Sequence, residues 1–271
     1  GGSGEPLHFL HANGYPPACY QPLLDLLQSR FHVFGMLLRP LWPDSRMNDL
    51  QDWNPLSDDL LTFLHQSGEP PVVAVGHSIG AIVSLRAALR DPAPFRALVL
   101  LDPVLFPPSR ILAWNVMRAL RLGFRMHPLV RGALRRRHQF SDLDAVFRGY
   151  RRRPIFRHLS DEGLRAYISG IVRHTPGGYE LAYTPEWEAH IYYTGIWRDM
   201  ELWRGLPGLN VPTLIIRGAE TDTFGETAAR LAVRRNPAIR VETLGRSTHL
   251  VPLERPGEVF DMVQAFLKEI Q

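Results

Sequence analysis

The sequence predicts an α/β fold on a mainly parallel sheet, and three observations predict it. Short apolar runs alternate with helical stretches over residues 1–102, and again over 207–271. The pentapeptide Gly76-His77-Ser78-Ile79-Gly80 joins the run Val72-Val73-Ala74-Val75 directly to a helical stretch from Ala81 to Leu89. Between Pro103 and Leu206 the alternation stops. With 271 residues and 45% hydrophobic content, the chain can bury an α/β core and still carry a subdomain.

Taken in order, residues 7–10 read as the first strand, 20–29 hold a helix, and 31–38 read as the second strand. Asn54-Pro55 has the N-cap and first-turn signature of a helix that shows Leu56, Leu60, Phe63 and Leu64 on one face and ends at Gly68. Strands at 72–75 and 97–101 bracket the helix after Ser78. Strands at 213–216 and 240–244 bracket another near 226–234. A last helix aligns Val259, Val263, Phe266 and Leu267. Helices between successive strands imply about six parallel strands with both faces covered.

A serine wedged between strand and helix must adopt a strained backbone, so small neighbours are needed. Gly76 and Gly80 supply them and leave the Ser78 hydroxyl clear of the sheet. The following helix N-terminus offers unpaired N–H groups where an oxyanion would form. Two further residues fall after strands. Asp222 lies beyond the 213–216 run, in Arg217-Gly218-Ala219-Glu220-Thr221-Asp222, and His249 lies five residues beyond the next. In an open parallel sheet all strand C-termini share one edge, so the three loops converge. Asp102, in Leu101-Asp102-Pro103, also follows a strand and competes with Asp222 as the acid, with Glu220 a third option. His77 is expected to point away from the nucleophile, and His8 and His11 to serve loop or core rather than a metal.

Four segments carry a resemblance: Leu10 to Pro16, Gly76 to Gly80, Gly218 to Asp222, and His249 to Pro256. On these the chain resembles an α/β-hydrolase-fold serine hydrolase, esterase- or lipase-like, over nearly its whole length. The resemblance implies a Ser78–Asp222–His249 triad, with Asp222 favoured because it follows the penultimate strand, the family's commoner acid position. The loop after the first strand departs from the family pattern, with Ala12 where glycine is usual. It gives either Asn13 or Tyr15 as one oxyanion donor, Asn13 preferred, and Ile79 gives the other. The antiparallel hairpin that usually precedes the first strand in this family is expected to be absent. A serine nucleophile implies acyl chemistry, whereas epoxide hydrolases and dehalogenases of this fold use a carboxylate.

The chain divides on this reading into a core over 1–102, a helical cap over 103–206 and the rest of the core over 207–271. The cap holds 17 arginines and nine acidic residues, a net of +8, against −4 elsewhere. Its densest points, Arg135-Arg136-Arg137 and Arg151-Arg152-Arg153, are read as solvated faces, the alternative being attraction of an acidic substrate, nucleic acid or membrane surface. Trp114, Trp187, Trp197, Trp203, Phe106, Phe124, Phe140 and Tyr183 make it aromatic, and Trp114 and Trp187 are the candidate pocket residues for an apolar or aromatic substrate. One cysteine, Cys19, excludes an internal disulfide, and no His/Cys spacing suits zinc. No cofactor, no metal, no nucleic acid and no membrane span are expected, and no signal peptide is seen, so a cytoplasmic enzyme acting on a small molecule is expected. The expected reaction is hydrolysis of a carboxylic ester or related acyl bond. Cleavage of a carbon–carbon bond beside a ketone is the alternative within the fold, and a non-catalytic ligand-binding member is the alternative outside enzymes.

Overall fold

The computed structural model describes residues 1–121 and 127–270, so Phe124 lies outside the described residues. Six strands form the main sheet: β1 (Glu5–Leu10), β2 (Phe31–Phe34), β3 (Val72–His77), β4 (Phe95–Leu101), β8 (Thr213–Gly218) and β9 (Ile239–Leu244). They run β2-β1-β3-β4-β8-β9, and every pairing is parallel. The expected six strands are therefore present among the described residues. β3 and β4 are apolar almost throughout because the sheet is covered on both sides, with Ala74, Leu98 and Ile215 in one apolar cluster and Val73, Val99 and Leu214 in the other.

Helix α1 (Gln21–Gln28) follows β1. Helix α2 (Asn54–Ser67) starts at Asn54, with Trp53 rather than Asn54 at the cap, because the Asp52 carboxylate takes the Asn54 N–H at 2.8 Å. It ends on Gly68 at φ 70°. Helix α3 (Ile79–Arg90) is buried along almost its whole length, packed against β3, β4 and α2, with the helix Met200–Gly205 also against it. Arg86 of α3 bonds Asp199 at 2.6 Å and Glu201 at 3.3 Å, which ties the chain there to the helix behind Ser78.

The second strand is shorter than residues 31–38. Past Phe34 the chain still follows β1, but side chains replace the backbone ladder. His8 Nε2 accepts the Met36 N–H and His11 Nε2 accepts the Leu38 N–H, each at 3.1 Å. Both rings are fully buried, and burial pushes their pKa down to about 3 and about 4. These histidines hold backbone, as expected of loop and core residues.

Residues 103–206 are mostly helical, beginning with α4 (Pro108–Ala119). Within this segment β5 (Gln139–Phe140), β6 (Val172–Thr175) and β7 (Gly178–Leu181) form a small antiparallel sheet beside the helices. These strands are short and mostly half-buried, so they lack the apolar runs that mark the main sheet. Among the described residues no helix is long and apolar enough to cross a membrane.

Candidate active site

Ser78 caps α3 with φ 58° and ψ −116°, a conformation rare for a residue with a side chain, and its N–H is held by the Leu101 carbonyl at 3.0 Å. The flanking glycines are steric requirements. A Cβ on Gly76 would lie 2.5 Å from the Gly80 carbonyl oxygen, and one on Gly80 would lie 2.2 Å from that of Leu10. The strand, the turn and the helix can approach only because both are glycine.

His249 Nε2 lies 2.9 Å from Ser78 Oγ, and His249 Nδ1 lies 2.6 Å from Asp102 Oδ2. The Nδ1–H donates to the carboxylate, which leaves Nε2 free to accept the serine proton. The acid beside His249 is therefore Asp102, and the sequence preference for Asp222 is corrected. Asp222 is exposed, and its backbone carbonyl accepts from Arg110 at 3.3 Å. The reason lies in the alternation along the loop after β8. Thr221 and Thr223, two apart, turn their hydroxyls to Asp102 Oδ2 at 2.5 and 2.6 Å, and the intervening Asp222 turns outward. Glu220 is paired with Arg157 and His158 instead.

Asp102 is fully buried, and Oδ1 also accepts the Gly218 N–H at 3.0 Å. Burial alone would raise its pKa. The hydrogen bonds from His249, Thr221 and Thr223 outweigh burial and hold it below the ordinary carboxylate value. Thr221 and Thr223 were missed by the sequence reading. The signal for Asp102 was its place directly after a buried strand paired with β8.

The loop after β1 is fixed from several sides. Gly14 sits at φ 73°, and the Tyr15 N–H is spent on the Ala12 carbonyl at 3.2 Å. The Asn13 side chain is anchored on the Glu188 carbonyl at 3.0 Å. Ile79 occupies the first position of α3, where a backbone N–H has no partner within the helix. His77 links two loops of the site, its ring 5.0 Å from that of His249. Its Nε2–H donates to the His249 carbonyl at 2.8 Å, and its Nδ1 accepts from the Tyr20 hydroxyl at 2.7 Å. That hydroxyl in turn accepts the Ala12 N–H at 3.1 Å. Burial drives the His77 pKa down to about 3, so the ring stays neutral and keeps one donor and one acceptor. The His249 loop is braced further by Glu254, which accepts the Thr248 N–H and hydroxyl at 2.7 and 2.8 Å.

Trp187 is buried in the same apolar cluster as Ile79 and Leu10, whereas Trp114 packs edge-on against His127 at 4.7 Å. Arg136 departs from the solvated reading of its run. It turns inward to the Glu188 carboxylate at 2.8 Å and the Tyr167 hydroxyl at 3.1 Å, while Arg135 and Arg137 stay exposed. Among the described residues no group of three His, Cys, Asp or Glu side chains is placed to hold a metal ion.

The model of the alpha/beta hydrolase family matches residues 9–262, and the chain belongs to that family. It is 22% identical over 260 residues to the uncharacterized hydrolase YugF of Bacillus subtilis (strain 168), covering 92% of this chain and 85% of the relative. Among solved structures, E-2-(acetamidomethylene)succinate hydrolase superposes with a TM-score of 0.78 at 21% identity, covering 98% of this chain and 92% of that one. An M. tuberculosis esterase superposes with a TM-score of 0.72 at 21% identity, covering 99% and 87%.

Proposed function

We propose that the protein is a serine hydrolase that cleaves a carboxylic ester or related acyl bond of a small apolar or aromatic substrate. The observation that carries the proposal is the unbroken hydrogen-bonded line from Ser78 Oγ through His249 to Asp102. His249 Nε2 takes the Ser78 proton as Oγ attacks the acyl carbon, and then delivers it to the leaving group. Asp102 keeps the proton on Nδ1 during the ground state and stabilises the imidazolium that forms. The oxyanion is held by the N–H groups of Ile79 and Asn13, aided by the positive end of α3. His249 then activates water to release the acyl group and restore Ser78. Residues 103–206 act as a cap, with Trp187 and Trp114 shaping the acyl pocket.

A fluorophosphonate probe should label wild type and leave Ser78→Ala unlabelled, while the variant keeps its melting temperature. A turnover panel of p-nitrophenyl esters of graded acyl length, a thioester and a meta-cleavage dienone then assigns the bond. Labelling that survives in Ser78→Ala sinks the nucleophile assignment. Turnover of the dienone alone replaces ester cleavage with carbon–carbon cleavage.

A further inference from the structure

Helix α4 wears its apolar side outward. Ile111 and Trp114 face inward and are buried. The outward arc is Ser109, Leu112, Ala113, Val116, Ala119 and, just past the helix, Leu120, without a charge among them. Leu112, Val116 and Leu120 follow one another at four-residue spacing and are 64%, 52% and 64% exposed. A surface helix ordinarily shows the reverse pattern, and isolated exposed apolar residues do not line up in this way. The helix Pro128–Leu134 adds Leu129 and Leu134, 53% and 44% exposed, while its Val130 and Ala133 are buried with Ala189. Both helices rest on the helix Pro185–Thr194. Arg118 of α4 lies over Tyr193 at 5.0 Å, and His127 stacks on Tyr192 at 6.2 Å.

Charge says what this face meets. From Pro103 to Ser141 the sequence holds no aspartate or glutamate, and Arg121, Arg131 and Arg135 are exposed beside the leucines. A second copy of the chain docking face to face would bring arginine against arginine, because a two-fold contact pairs a patch with itself. An anionic lipid surface satisfies both features. It takes the leucine side chains into its interface and attracts the guanidinium groups. We propose that the outward faces of α4 and Pro128–Leu134 dock the protein on an anionic lipid surface.

The test is co-sedimentation of the full chain with vesicles, either phosphatidylglycerol mixed equally with phosphatidylcholine or phosphatidylcholine alone. Wild type should pellet with the anionic vesicles and be released by salt. The triple change Leu112→Ser, Val116→Ser, Leu120→Ser should weaken partitioning about tenfold or more, with an unchanged melting transition, because these side chains are exposed. The triple change Arg121→Gln, Arg131→Gln, Arg135→Gln should abolish the preference for phosphatidylglycerol. Wild type that stays in the supernatant with anionic vesicles overturns the proposal, as does a serine triple that binds equally well. Concentration-dependent self-association that the serine triple removes would overturn it in favour of a second copy.

Discussion

Asp102 Oδ2 stands 2.6 Å from His249 Nδ1, although 147 residues separate them in the chain. The two meet because β4 and β8 are neighbours, with Leu101 opposite Ile216, so the turn after β4 opens beneath the loops that follow β8 and β9. On the proposed mechanism Asp102→Asn leaves the fold intact but allows the wrong imidazole tautomer, with kcat for an ester falling on the order of 10⁴-fold. Asp222→Asn should stay within a few-fold of wild type. Steady-state turnover of the two variants checks this, and the reverse ranking would return the role to Asp222.

Gly80→Ala should be among the most destabilising single-methyl changes in the molecule. The added carbon meets the Leu10 carbonyl oxygen at 2.2 Å and the His11 carbonyl oxygen at 2.8 Å, and both are backbone atoms held in place. Thermal melting should show a loss above the ~1–3 kcal/mol typical of overpacking. A variant that melts like wild type would mean that β1 and α3 can part freely.

Tyr20→Phe removes the hydroxyl that joins the Ala12 N–H to His77 Nδ1. Both partners stay buried and lose their bond, so stability should fall by ~1–3 kcal/mol in denaturant titration. On the proposed mechanism kcat should fall more than KM changes, because the loops carrying Asn13 and His249 lose a common brace. An unchanged kcat would confine His77 to a packing role.

Acid should destabilise the fold early. His8, His11 and His77 are neutral in the folded state, with pKa values lowered by burial from 6.5 to about 3, about 4 and about 3. Unfolding below pH 6.5 lets each ring take up a proton, so stability falls as pH drops toward those folded values. The slope is ~1.4 kcal/mol per pH unit for each ring. Asp102, held below its usual value, adds loss of the same sign only in more acidic solution. Melting temperature followed from pH 7 downward checks this, and His8→Gln should flatten the slope by one proton. A flat profile between pH 6.5 and 5 would rule the account out.

The sheet was legible because β3, β4 and β8 carry continuous apolar runs and the turn after β3 carries two glycines that geometry demands. Ser78 and His249 were legible for the same reason, since each sits where a strand ends. The acid was not. Asp102 and Asp222 both follow strands, and choosing between them requires the path of the loop after β8, which Thr221 and Thr223 set by bonding across to β4. Arg136 was misread with its neighbours, because a run of three arginines does not tell which one turns toward Glu188. The strands β5, β6 and β7 escaped notice because two to four half-exposed residues leave no apolar period.

The pairing of β4 with β8 closes a loop of more than a hundred residues, since Leu101 pairs with Ile216. Closing a loop costs entropy that grows only with the logarithm of its length, ~0.6 kcal/mol for each doubling. The stretch from Pro103 to Leu206 can therefore lengthen, shorten or be exchanged at small cost to the register that brings Asp102 to His249. Chemistry and recognition are thereby placed under separate constraints. On the proposed function the paired strands hold the groups that react, while the inserted segment is free to change what it admits and what surface it meets.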